Sequence, residues 1–130
     1  MEHGADINKE NRSGETVLFD ACTNRDNILI RYLVKHGADI NKENRSGETP
    51  LFDACRSGNR FSIEYLVEHG ADINKKNRSG ETVLINARKN RDNNLIRYLM
   101  KHGADKNKTY IKRKNDLRDI RKYLLSRILH

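Results

Sequence analysis

Leu18, Ala21 and Cys22 fall at i, i+3 and i+4, and Ile30, Leu33 and Val34 repeat that spacing a few polar residues later. Such spacing puts each set on one face of a helix, so the pattern predicts two short helices in succession. The pair returns as Leu51, Ala54 and Cys55 with Ile63, Leu66 and Val67, and the second helix returns again as Ile96, Leu99 and Met100. Thr16, Thr49 and Thr82 precede the first helices and are expected to cap them through their hydroxyls. Pro50 stands at a first helical position, where its missing N–H costs nothing. Gly37, Gly70 and Gly103 follow the second helices as left-handed stops. Gly58 is expected to turn the chain between the helices of the second pair. Arg25 and Arg91 occupy that place in the other pairs, so the left-handed residue there is expected to be Asn24 or Asn90.

The polar stretches between the pairs repeat as well. H-G-A-D-I-N-K-E-N-R-S-G-E-T opens at His36, and a shift of 33 positions lands it on His3 in one direction and His69 in the other. A fourth copy opens at His102 as H-G-A-D-K-N and then diverges. A period this short implies a stack of layers in which each buries its apolar stripe against its neighbours. The expected fold is all-α: a solenoid of helix-turn-helix units with projecting β-turn fingers closed by Ser13-Gly14, Ser46-Gly47 and Ser79-Gly80. One domain is expected over 1–130, with repeats at 3–35, 36–68 and 69–101 and a C-terminal cap at 102–130.

Period and residues together resemble the ankyrin repeat. Its pattern of a Gly-containing turn, T-P-L-H-x-A, a helix rich in V/L-x-x-L-L and then G-A-D-x-N is matched by S-G-E-T-P-L-F-D-A-C at Ser46–Cys55 and I-E-Y-L-V-E-H-G-A-D-I-N at Ile63–Asn74. The resemblance runs over residues 3–107. Val17 and Val83 stand where that family prefers Pro, and Phe19, Phe52 and Ile85 replace its His, which removes the acceptor or donor for the family's Thr–His hydrogen bond.

Composition fits a layered molecule: 34% of residues are charged, 35% are hydrophobic and none is Trp, poor material for one spherical core. No apolar run approaches the ~18 residues of a membrane span. Cys22 and Cys55 occupy equivalent positions one repeat apart. Packed helices lie roughly 8–10 Å apart and a disulfide needs Cα atoms within about 7 Å, so both are read as reduced core residues. An intracellular setting, cytoplasmic or nuclear, is expected, with a secreted effector as the alternative.

The formal charge of +8 is unevenly placed: residues 1–68 carry 9 basic and 12 acidic side chains, and residues 69–130 carry 17 and 6. The basic end has two readings, plain solubility or attraction to an acidic protein face, nucleic acid or an anionic membrane. Lys106, Lys108, Lys112, Arg113 and Lys114 concentrate it, while Asn115 begins a helix striped by Leu117, Ile120, Leu124 and Ile128, expected to cover the last repeat. No polar cap precedes the first repeat, which suggests further repeats upstream in a parent protein.

Catalytic chemistry finds no support. His3, His36, His69 and His102 lie one per layer and cannot converge at the ~2 Å that zinc demands; a hydrogen bond between neighbouring turns is expected of them. Asp20, Asp53 and Asn86 form a similar ladder, read as a solvated face. No G-x-G-x-x-G, P-loop, H-E-x-x-H or nucleophile elbow occurs. A non-enzyme without metal or cofactor is expected.

What remains is surface, and here the resemblance supplies the positions. Ankyrin proteins hold protein partners in the groove made by finger tips and first helices. Carried over, the fingers are Arg12, Ser13 and Glu15; Arg45, Ser46 and Glu48; Arg78, Ser79 and Glu81. The helix positions are Asp20, Thr23 and Asn24; Asp53, Arg56 and Ser57; Asn86, Lys89 and Asn90. The fingers are identical in three repeats, which reads either as recent duplication or as a repeated grip on an extended, periodic partner. Two functions stay open: a monomeric protein-interaction module, part of a larger adaptor or an effector, or an anion-binding module using residues 69–130.

Overall fold

The computed structural model describes residues 6–104. They form three helix-turn-helix pairs: α1 (Val17–Thr23) with α2 (Asn27–Lys35), α3 (Pro50–Ser57) with α4 (Arg60–Glu68), and α5 (Val83–Lys89) with α6 (Asn93–Lys101). The capping helix expected from Asn115, the basic run at Lys106–Lys114 and His3 lie outside the described residues.

Helices of seven to nine residues are too short to persist alone in water, so burial between layers holds them. Leu18, Leu51 and Leu84 form one buried ladder, Leu33, Leu66 and Leu99 a second, and Ala21, Ala54 and Ala87 let the first helices approach. First helices pack against one another more extensively than second helices do, so the stack is tighter on their side, its inner face. Cys22 is buried and Cys55 half-buried, both unpaired as expected. Burial foremost pushes each thiol up to about 12.

Neighbouring layers are also tied by polar ladders. The Asn8, Asn41 and Asn74 amides donate to the carbonyls of Gly37, Gly70 and Gly103 in the next repeat, at 3.3, 3.0 and 3.1 Å. The carbonyl oxygens of Asn8 and Asn41 accept from the Asp39 and Asp72 N–H groups at 2.7 Å. The histidines make a bond between neighbouring turns, and make it within one helix. His36, His69 and His102 each donate from Nδ1 to the carbonyl of Tyr32, Tyr65 or Tyr98 in the preceding turn of their own helix, at 2.8, 2.7 and 2.9 Å, and stack on that tyrosine's ring. A helix's last carbonyls lack intrahelical donors, and a ring nitrogen four residues on supplies one. Asparagine side chains, and not the histidines, reach across to the next repeat here.

Two expectations change. The left-handed residues are Arg25 and Arg91, at φ 58° and 56°, while Asn24 and Asn90 stay at φ −88°. The repeat register places that turn where Gly58 sits at φ 69°, and register prevails over residue preference. The threonine caps also differ. Thr82 Oγ1 accepts from Ile85 N at 3.3 Å, whereas the buried hydroxyls of Thr16 and Thr49 have no partner. In those two helices the N–H of Phe19 or Phe52 is taken by the threonine's own carbonyl, at 3.0 Å. Phenylalanine in place of the ankyrin pattern's histidine offers the hydroxyl nothing else.

Candidate functional site: the fingers and first helices

Each finger is built on an asparagine. The side-chain oxygen of Asn44 accepts from Ser46 N at 2.9 Å and Glu48 N at 3.0 Å, while Gly47 N donates to the Asn44 carbonyl at 2.9 Å. Asn11 and Asn77 repeat the arrangement. The buried Gly47 needs φ 75°, and a Cβ there would lie 3.1 Å from Arg78 N and 3.2 Å from Arg78 Cγ. The absent side chain is what lets the next finger lie against it. Fingers are joined through their backbones as well: Arg45 N donates to Ser13 O and Arg78 N to Ser46 O, both at 2.9 Å.

The structure separates residues that the sequence had grouped. Finger glutamates turn back into the stack. Glu15 accepts from Asn44 of the next finger at 2.9 Å. Glu48 is buried, accepting from Arg56 at 2.7 Å and from Asn77 of the next finger at 2.8 Å. Burial acts to raise the Glu48 carboxyl, and the Arg56 and Asn77 hydrogen bonds and the Arg56 charge outweigh it, so its pKa is lowered. Glu81 pairs with Lys89. Glu10 and Glu43 pair with Lys42 and Lys75 of the following finger, at 2.6 and 2.8 Å. Arg56 and Lys89, expected as recognition residues, are therefore occupied in holding glutamates.

Arg12, Arg45 and Arg78 are exposed, and among the described residues their guanidinium groups make no ion pair or hydrogen bond. Ser13, Ser46 and Ser79 are exposed beside them. On the helix row Asp20, Thr23, Asn24, Lys89 and Asn90 are exposed, and Asp53, Ser57 and Asn86 are half-buried. Ser57 is turned inward, its hydroxyl donating to Ala54 O at 3.0 Å. Asp53 departs from the solvated-face expectation: burial first, and then Glu15 and Glu48, push its carboxyl up to about 6 against the opposing pull of Arg56 and a Thr23 hydrogen bond.

A model of ankyrin repeats, three copies in all, matches residues 1–77 and 46–110. The chain belongs to the ankyrin-repeat family. None of the curated proteins compared with it matches. Ankyrin repeats are generally protein–protein interaction modules and typically carry no enzymatic activity. Among the described residues of this ankyrin-repeat chain, no group of three His, Cys, Asp or Glu is placed to hold a metal ion. None of their helices is long and apolar enough to cross a membrane.

The sequence missed the inter-repeat role of asparagine and the inward turn of the glutamates. The signal for the second was present: glutamate follows Ser-Gly at the base of every finger, next to the buried threonine, and not at its tip.

Proposed function

We propose that this ankyrin-repeat chain is a protein-interaction module that holds its partner on the inner face, between the finger tips and the exposed turns of the first helices, as part of a larger adaptor or an effector. The observation carrying this reading is the contrast between the two edges of each finger. Its base is locked into the stack by asparagine and glutamate, and its tip is left exposed on a rigid frame. Little ordering entropy is lost when such a surface binds, and the exposed arginines offer charge-assisted, bidentate hydrogen bonds.

The test uses substitutions that spare the structural ion pairs. Reversing Arg56 would set a carboxylate against buried Glu48 and disturb the fold, so Thr23→Trp and Asn90→Trp serve as steric blocks on the inner face, with Arg31→Trp and Ile28→Trp as controls on the exposed side of α2. Capture from nuclease-treated lysate of the source organism at high salt should retain a discrete protein with the controls and lose it with both blocks. Equal retention by all four variants, or loss of all bound material on nuclease and salt treatment, would move binding to the basic residues of 69–130.

A further inference from the structure

The finger arginines define the chemistry of the partner as well as its place. Five glutamates lie on the three fingers, and each is engaged: Glu10 and Glu43 by lysines, Glu15 by Asn44, Glu48 by Arg56 and Asn77, Glu81 by Lys89. Arg12, Arg45 and Arg78 are the exposed cations left at equivalent points of successive tips, and Lys76 takes the place that Glu10 and Glu43 fill in the earlier fingers. The row is held in register, since the Arg45 and Arg78 backbone N–H groups themselves make the finger-to-finger bonds.

The spacing of the row follows from the stack that carries it. Helices of successive repeats pack roughly 8–10 Å apart, so equivalent arginines repeat at about that distance. A peptide in the extended polyproline II form has three residues per turn and advances about 3.1 Å per residue, so every third side chain lies on one face, about 9 Å from the last, and meets the next arginine. Guanidinium groups grip carboxylates bidentately. A duplex strand also brings every third phosphate about 10 Å along, but three steps of about ten per turn carry it roughly a third of a turn away from a straight row.

We propose that the fingers take an extended acidic peptide with a carboxylate at every third residue, one per arginine. This rests on the inner-face reading above and specifies its ligand. The identical finger tips are then a repeated grip, and the variation along the first helices sets direction. Exposed Asp20 opposes acidic charge at the first repeat, and Asn86 in its place does not at the third.

The experiment is fluorescence anisotropy with the full chain and three probes of equal charge at moderate salt. The first is a peptide with glutamates at i, i+3 and i+6 separated by serine. The second is its isomer with three adjacent glutamates, and the third is a short oligothymidylate. The spaced peptide should bind about tenfold more tightly than its isomer, the gain expected from one further charge-assisted pair. Arg45→Lys, which keeps the charge and loses the fork, should weaken the spaced peptide about fivefold to tenfold, and Arg31→Lys should leave it unchanged. Equal binding of the two isomers, indifference to Arg45→Lys, or preference for the oligonucleotide would overturn the proposal. If the tryptophan blocks abolish lysate capture while the isomers bind equally, the acidic-peptide inference fails and the inner-face reading stands. If neither responds, both fail.

Discussion

Asp53→Asn should stabilise the protein, by an amount that depends on pH in a defined direction. Burial is the largest influence on the Asp53 carboxyl, with Glu15 and Glu48 adding like charge, and together they raise it from 3.8 to about 6. A carboxyl whose pKa is raised by folding favours the protonated form in the native state. Its contribution is full below the unfolded value near 3.8 and is lost as pH rises through about 6. A shift of about two units, at about 1.36 kcal/mol each, corresponds to roughly 3 kcal/mol of lost stability at pH 7. Asparagine has nothing to ionise and keeps a hydrogen-bonding oxygen. The 3.5 Å ion pair with Arg56 is already counted in that net rise, and discounting for the partial solvent screening of a half-buried carboxylate leaves a gain of about 2 kcal/mol at pH 7. The third repeat already carries this solution, with Asn86 at the equivalent position. Urea unfolding of wild type and variant at pH 4, 5, 6 and 7 measures it. The difference between them should be near zero at pH 4 and grow to about 2 kcal/mol by pH 7. A difference that is flat with pH, or that shrinks as pH rises, would refute the burial argument.

Other substitutions address the turns, caps and ladders. Arg91→Gly removes a side chain from left-handed backbone, which costs non-glycine residues about 1–2 kcal/mol, and the freedom glycine gains when unfolded returns about 0.5–1 of it. The melting temperature should rise by a few degrees, and a fall would contradict the strain at Arg91. Thr49→Val deletes a buried hydroxyl without a partner and should be neutral or stabilising in the same assay, whereas Thr82→Val deletes a helix cap and should cost about 1 kcal/mol. Asn41→Ala removes both bonds to the third repeat and should cost about 2 kcal/mol, with amide exchange near Gly70 and Asp72 speeding up; unchanged exchange there would show that asparagine does not hold the layers together.

The helices and their stacking were legible because each repeat writes its apolar stripe at helical spacing, and three copies in phase leave little freedom of register. Gly58 even betrayed the turn that Arg25 and Arg91 adopt, though preference for asparagine in left-handed backbone pointed one residue too early. Direction of side chains was harder to read. Glu15, Glu48 and Glu81 look like tip residues in a polar stretch, and whether a carboxylate faces water or the next repeat's asparagine depends on two layers meeting. The histidines illustrate the same limit, since spacing gives a ladder but not whether its bonds run along a helix or across the stack. For the candidate site, the arginine tips were visible in the repeat. Their isolation became visible only once every neighbouring glutamate had been traced to its partner.

The central claim, that a partner is held on the inner face, is tested most directly by hydrogen exchange of the chain alone and in complex with the protein captured from lysate. Added protection should fall on the fingers around Arg12, Arg45 and Arg78 and on the last turns of α1, α3 and α5, with α2, α4 and α6 unchanged. Protection confined to the second helices, or to the residues after Ala104, would contradict it.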